Sequence, residues 1–421
     1  LRFAFLAILH VGTVLLLPVF SSAEESSPEK YGLDFMARAE QAARFDLGSS
    51  SFTRENDEGR LLLRIRPSVA ATPSENLSVL VEGQWYAFYG DSDFSLLSLY
   101  QGYAEEVLPG ENRVSFRAGR QEFVYGSAFL LGSDAFYDGL AFDAVKLAWT
   151  RPREISVDLF GGRYVKKWAG NTEGTLYGIY AVCPLRESLS IDLYGFRDTG
   201  APGSVHVGGE HEVAYSAGGR LVGKTAGKVS YELEPVYQFG RKSRDGVSHY
   251  GIRAFGGHAD IALDLTLGRR PGKVFLSYAY GSGDGDPQEG KSTEFRNPNN
   301  DSPLVGGMNV VGDLSGLTVA DPAGNEVRAS GLHGVTARVE SDVTEKINVS
   351  LAGHYFRADK VPAGCGKEIG VETNLIFACK WNKSVSTLLS VNRFFTGEFF
   401  RGAAGSGKDI DYAYAQLQAT F

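Results

Sequence analysis

The chain has 421 residues, with 52 glycines, 20 tyrosines and 26 phenylalanines, a formal charge of −8 and a mean hydropathy of −0.15. Beyond the first 20 or so residues no apolar stretch reaches the roughly 18 residues a helical membrane span requires, so such spans are excluded. No basic stripe offers itself to nucleic acid, and no linker or shift of composition divides the chain, which argues for one large all-β unit.

The N-terminus reads as a secretory signal peptide over residues 1–23. Arg2 precedes an apolar run from Phe3 to Phe20, and Ser21-Ser22-Ala23 forms a small-residue cleavage site before a polar segment. Pro18 and the length of the run argue against a spanning helix. Residues 24–421 are then the mature unit.

Alternation begins at residues 31–43, where Leu33, Phe35, Ala37 and Ala39 oppose Asp34, Met36, Arg38 and Glu40. A second strand covers 60–70, and a third, at 76–89, sets Leu77, Val79, Val81, Trp85 and Ala87 against Ser78, Glu82, Gln84 and Tyr86. The pattern recurs around Ile155–Leu159, Leu189–Leu193 and Val229–Glu234. One face suits lipid and the other water, which keeps mean hydropathy near that of a soluble protein.

Connections separate a barrel from a soluble sandwich. Short turns at 71–75, 109–112, 150–153, 184–187 and 381–383 alternate with longer polar or glycine-rich ones at 126–138, 199–209, 283–330 and 397–408. Short periplasmic turns alternating with long outside loops are what a transmembrane barrel requires. Phe421 ends an alternating segment over 409–421, as expected of a last strand that closes on the first and leaves no edge in lipid. With Phe421 on the periplasmic side, parity demands a first strand at 31–43. It also makes 247–267 one long strand, with Gly256-Gly257 as a bulge that switches faces. The expected fold is all-β, a transmembrane antiparallel β-barrel of about 18 strands.

The face opposite the apolar one lines the lumen. It carries Arg38, Arg64, Arg66, Arg117, Lys146, Arg220, Arg253 and Arg338 beside Glu82, Asp158, Asp192, Glu232, Glu234, Asp264, Glu368 and Glu372. A ring of arginine selects anions, because guanidinium groups bind carboxylates in bidentate fashion. The same charges can equally pair across strands and fill a wide barrel. Arg64 and Arg66, two apart on one strand, are the foremost candidates for selectivity.

Catalysis and metal binding find little support. His249 and His354 fall on expected strands without an evident Ser/Asp partner, so no enzyme is expected, although a hydrolase site can assemble from distant strands. Asp284, Asp286 and Glu289 could offer oxygen ligands to calcium, but their spacing is not that of an EF-hand and a solvated acidic loop is the default. Cys183, Cys365 and Cys379 read as small apolar residues. No cofactor is called for.

Several segments together resemble the alginate export family of outer-membrane proteins. They are Ala118-Gly119-Arg120-Gln121-Glu122-Phe123-Val124-Tyr125-Gly126-Ser127, then Gly139-Leu140-Ala141-Phe142-Asp143-Ala144-Val145-Lys146-Leu147, then Tyr278-Ala279-Tyr280-Gly281-Ser282-Gly283-Asp284, and finally Glu368-Ile369-Gly370-Val371-Glu372-Thr373-Asn374-Leu375. Ala144, Lys146 and Asn374 stand where glycine, arginine and aspartate are usual. The resemblance implies a monomeric barrel in the bacterial outer membrane, passing an anionic polysaccharide through an arginine-lined constriction guarded by inward loops. It adds Arg120 to the pore set through the Gly-Arg-Gln match and carries over Lys146 through the Phe-Asp match. Strict parity places Arg120 with Phe116 and Ala118, so its role requires a bulge or a position above the membrane. The expected partners are outer-membrane lipid and an anionic polysaccharide or small anionic solute, with periplasmic or cell-envelope export partners left open. The alternative is a general small-solute porin.

Overall fold

The computed structural model describes residues 29–46, 51–90, 93–165, 174–200, 211–225, 227–244, 248–286, 290–308 and 310–421. The expected signal peptide and Glu289 lie outside them. The first thirteen strands are β1 (Glu29–Asp46), β2 (Ser51–Ser74), β3 (Leu77–Tyr89), β4 (Phe94–Leu108), β5 (Arg113–Gln121), β6 (Phe142–Arg151), β7 (Ile155–Tyr164), β8 (Thr175–Arg186), β9 (Leu189–Asp198), β10 (His211–Lys224), β11 (Val229–Arg244), β12 (Ser248–Leu267) and β13 (Arg270–Gly281). Two short strands follow, β14 (Lys291–Ser292) and β15 (Gly316–Ala320). The last five are β16 (Glu326–Asp342), β17 (Ile347–Lys360), β18 (Glu368–Lys380), β19 (Val385–Thr396) and β20 (Ile410–Thr420).

Each long strand pairs antiparallel with its neighbours in sequence, β13 pairs with β16, and β20 returns to β1. The result is a closed barrel of 18 strands. β14 and β15 stand apart from the wall count: β14 adds parallel to β12, and β15 forms a hairpin with β16. Closure is completed at the C-terminus, where the Leu33 amide donates to Phe421 O at 3.1 Å and the Phe421 amide donates back to Leu33 O at 2.9 Å. Among the described strands no backbone edge is left for lipid to solvate, which is the condition for a sheet to cross a membrane.

The alternation read from the sequence is realised in burial. On the outer wall Leu97, Leu159, Leu193, Leu233, Phe255, Ile261, Leu276 and Leu351 are exposed, while inward neighbours such as Asp192, Glu234 and Arg38 are buried. An apolar band of this kind is stable only against lipid. Tyr412 and Tyr414 of β20 are buried on the lumenal side, as parity requires.

One expectation is corrected. β12 is a single strand, but Gly256 and Gly257 pair in unbroken register with Val236 and Pro235, so no bulge switches its faces. Even-numbered residues therefore point inward along its whole described length, and Arg253 lies exposed on the outer wall. The face switch occurs on β4 instead. Glu82 pairs with Gln101 and Gly83 with Leu99, leaving Tyr100 unpaired and swung into the lumen.

Candidate functional site: two loops folded into the lumen

A barrel of this size encloses more space than its wall side chains fill. In this chain the extracellular half is occupied by described residues of the connections 122–141 and 293–319. Phe129 and Leu131 from the first, and Phe295, Leu304, Val305, Met308, Val311 and Leu314 from the second, are buried in one apolar core with the inner-wall residues Phe142, Phe160 and Phe356. The helix Glu398–Ala403 adds Phe399 and Phe400. Residues 293–308 and 310–319 of the long connection over 283–330 thus form an inward plug, residues 322–326 are exposed beyond it, and β16 begins at Glu326.

The two loops are bonded to each other. Gly132 N donates to Asn299 O at 2.8 Å and Asp301 N to Ala128 O at 2.9 Å; Asn297 Nδ2 donates to Phe129 O at 3.2 Å. Ala128 and Asp134 adopt left-handed backbone angles, with φ of 60° and 50°. Such conformations persist where surrounding bonds over-determine them.

Arginine holds the first loop to the wall. Arg38 Nη1 donates to Phe136 O at 2.7 Å and its guanidinium lies 3.5 Å from the Phe136 ring centre. Arg64 Nη1 donates to Ala135 O at 2.7 Å and Tyr137 O at 2.9 Å. Arg66 Nη2 donates to Asp138 O at 3.1 Å while its guanidinium sits 3.6 Å from the Tyr100 ring centre. Glycine at 139 is required by this clamp, because a Cβ there would meet Tyr100 OH and lie 2.6 Å from Arg66 Nη2. Carboxylates balance two of these charges, Glu40 on Arg38 at 2.7 Å and Asp34 on Arg64 at 3.2 Å, while Arg66 donates to the neutral amide oxygen of Gln84 at 2.6 Å.

The second loop is held by acids. Glu372 Oε1, fully buried on β18, accepts the backbone N–H groups of Gly307 at 2.6 Å and Met308 at 3.0 Å. Glu294 accepts Arg328 Nε at 2.8 Å, Ser330 Oγ at 2.7 Å and Arg296 Nε at 3.2 Å. Burial acts to raise the Glu294 carboxyl, but the two arginines outweigh it and hold its pKa below the usual value.

Between the loops lies a cavity of about 740 Å³, bordered by Asp134, Asp301 and Asp313, by Asn299, Asn300 and backbone of 306–308, and by Tyr412 and Tyr414 of the wall. Among the described residues no lysine, arginine or histidine borders it. Burial raises the pKa of both Asp301 and Asp313, since the surrounding protein disfavours their charged forms. A second cavity, about 430 Å³, lies against Tyr125, Asp158, Tyr180, Asp192 and Arg220.

The remaining cations of the expected pore set divide between the two faces of the wall. Arg117, Lys146, Arg220 and Arg338 point inward, each beside a carboxylate. Arg117 meets Glu105 at 2.6 Å, Lys146 meets Asp158 at 3.4 Å and Arg338 meets Glu340 at 3.7 Å. Arg220 bridges Glu232 at 2.7 Å and Asp192 at 3.0 Å. Arg120 and Arg253 are not in the pore. β5 pairs without a register shift, so Arg120 emerges on the outer wall, where it binds Asp143 at 2.7 Å and Leu99 O at 2.9 Å.

Sequence reading passed over His258, which parity now puts inside. Its Nδ1 lies 2.9 Å from Asp260 Oδ2, and its Nε2 lies 3.3 Å from Ser127 Oγ and 3.3 Å from Glu234 Oε2. The line of serine, histidine and aspartate is not a nucleophilic triad. Ser127 Oγ donates to Glu234 Oε2 at 3.1 Å, which directs its proton to the carboxylate instead of the imidazole. His354 bonds Thr336 Oγ1 at 2.8 Å, and the side chain of His249 lies outside the described residues. Asp284 Oδ1 accepts the Asp286 amide at 3.2 Å. The three cysteines are free thiols. The tyrosine and acid clusters around His258 carry no local sequence signal, because their members come from different strands.

A closed barrel with an apolar outer band and loops folded into its lumen is the architecture of a solute channel of the bacterial outer membrane. The sequence profile of the alginate export family matches residues 28–413, and the chain belongs to that family. Among curated proteins none matches. Solved structures share the fold at low identity. Pseudomonas aeruginosa OpdQ is 11% identical with a TM-score of 0.60, covering 94% of this chain and 98% of its own. OpdO from the same organism is 14% identical, with a TM-score of 0.59 and coverages of 93% and 97%. P. aeruginosa OprD is 12% identical, with a TM-score of 0.55 and coverages of 96% and 98%.

Proposed function

We propose that the chain is a passive channel for small polar solutes, neutral or cationic, with its resting lumen biased against polyanions. The cavity between the two loops carries this reading: among the described residues three carboxylates border it and no cationic side chain does. A field of that sign, focused between low-dielectric walls, lowers the local concentration of anions. Further along the lumen each inward arginine or lysine of the pore set is already beside a carboxylate or a loop carbonyl, which leaves few donors for a solute.

A second reading rests on the clamp. Arg38, Arg64 and Arg66 stand on adjacent strands behind residues 135–138, so withdrawal of that loop would bare three guanidinium groups on one wall, a surface suited to an anionic polysaccharide such as alginate.

Reversal potentials across a planar bilayer under a KCl gradient test both. The expected result for the intact channel is cation preference and no block by added alginate. Anion preference with alginate block in the intact channel would overturn the first reading. Deletion of residues 133–138 should reverse the preference and introduce block if the second is right, and unchanged selectivity would dispose of it.

A further inference from the structure

The outer wall holds a group of arginines that the channel function does not use. Across β7 to β12, above the periplasmic turns, the described outward-facing side chains are apolar, aromatic or glycine, apart from Thr175 and four arginines: Arg163, Arg197, Arg241 and Arg253. All four lie toward the extracellular end. Arg163 and Arg197 are the penultimate residues of β7 and β9. Arg241 pairs opposite Gly251 and Arg253 opposite Phe239, which makes the two arginines diagonal neighbours.

Aromatic side chains surround them. Tyr177 and Tyr215 pair on either side of Arg197, whose guanidinium lies 5.8 Å from the Tyr177 ring centre. Tyr215 stacks on Phe239 at 5.2 Å, and Tyr237 packs on Phe255 at 4.7 Å. Such a girdle marks the height of the lipid headgroups. Beside Arg241, a Cβ at Gly251 would have no heavy atom within 4 Å, so the wall is open there.

A guanidinium at a lipid-facing wall needs an anion beside it, because its charge is poorly screened. Elsewhere on the outer rim the protein supplies one: Arg120 binds Asp143, and Arg393 binds Asp409 at 3.1 Å and Asp411 at 3.5 Å. Among the described residues no ion pair joins Arg163, Arg197, Arg241 or Arg253 to a carboxylate: Asp143 of β6, opposite Arg163 in register, is held by Arg120, and no outward-facing carboxylate stands on β7 to β12. The described wall thus leaves these four guanidinium groups open to an anion from the surroundings.

We propose that this face binds the phosphate groups of a phosphorylated glycolipid of the outer leaflet, with Arg241 and Arg253 as its centre and Arg163 and Arg197 extending it along the rim. Planar guanidinium forks match phosphate oxygens in paired hydrogen bonds, and the adjoining tyrosines and phenylalanines pack on sugar and upper acyl carbons.

The test is native mass spectrometry of the mature barrel, exchanged into detergent with either diphosphoryl lipid A or the same lipid stripped of its phosphates. The intact protein should retain the diphosphoryl form in preference, and the double variant R241Q/R253Q should retain about tenfold less of it or lower still. Equal retention of the two lipids by the intact protein overturns the proposal, and so does undiminished retention by a folded double variant. Should that variant fail to fold, the comparison of the two lipids on the intact protein decides alone.

Discussion

Arg38 donates to the carbonyl of Phe136 at 2.7 Å and holds its guanidinium 3.5 Å from the centre of the same residue's ring. One side chain thus grips both the backbone and the side chain of a residue 98 positions away, and fastens the tip of the first inward loop to the strand that closes the barrel. The side chains of Arg38 and its partner Glu40 are both fully buried. This relationship turns a residue type that suggests anion binding into a structural tie.

Cutting the tie should loosen the loop. Glu40 keeps a second partner in Arg60, whose Nη2 lies 2.7 Å from Glu40 Oε2, so Arg38→Ala is expected to cost about 1.5–3 kcal/mol in urea-induced unfolding, the worth of a charged hydrogen bond. Arg38→Ala combined with Arg64→Ala should also raise single-channel conductance and current noise. An unchanged trace from a folded double variant would show that the loop is held by its apolar core alone.

Selectivity should follow the titration of the cavity acids. Burial raises Asp301 and Asp313, so they hold their protons to higher pH than ordinary aspartates. Cation preference is therefore full above their raised range and declines as pH falls through it. Asp301→Asn with Asp313→Asn should flatten that dependence. The sign for stability is opposite: their contribution is greatest below the ordinary aspartate range and is lost as pH rises through the raised values. Reversal potentials and unfolding midpoints across an acid-to-neutral series check both halves.

The second loop has a different weak point. Gly306 has φ 86° and ψ 177°, a region open essentially to glycine alone, and a Cβ there would sit 2.6 Å from Glu372 Oε2. Gly306→Ala should destabilise the segment by roughly 1–3 kcal/mol and free the amides of Gly307 and Met308 from Glu372. Limited proteolysis of the purified barrel should then cut within 303–312 in the variant and leave the parent intact.

The lipid-facing assignment is testable on a single strand. Leu159 of β7 is outward and exposed, whereas Ser156, three residues earlier, borders the lumenal cavity of about 430 Å³. Leu159→Arg is expected to cost about 2–4 kcal/mol in a folding titration from urea into vesicles, and Ser156→Arg under about 1 kcal/mol. Equal penalties would contradict the assignment of faces.

The wall of this protein was legible in its sequence because strand alternation is local and has a period of two. Once Phe421 is placed at the periplasmic rim, parity yields the first strand, the undivided β12, the side of each turn and the inward direction of Tyr412 and Tyr414. The same rule misplaced Arg253, because a Gly-Gly pair reads as a bulge while only cross-strand register decides whether one forms. It also left Arg120 needing a bulge that β5 does not have.

The lumen was decided by tertiary structure. Loops 122–141 and 282–325 have no periodicity, and their amides, carbonyls and phenylalanines find partners that the barrel's closure brings within reach across tens or hundreds of residues. That is why Arg38, Arg64 and Arg66 could be placed inside from sequence while their partners, the carbonyls of 135–138, could not. It is also why His258 escaped notice: its neighbours Ser127, Glu234 and Asp260 come from a loop, the adjacent strand and its own strand. Alternation determines which way a side chain points, and only the folded loops determine what it meets there.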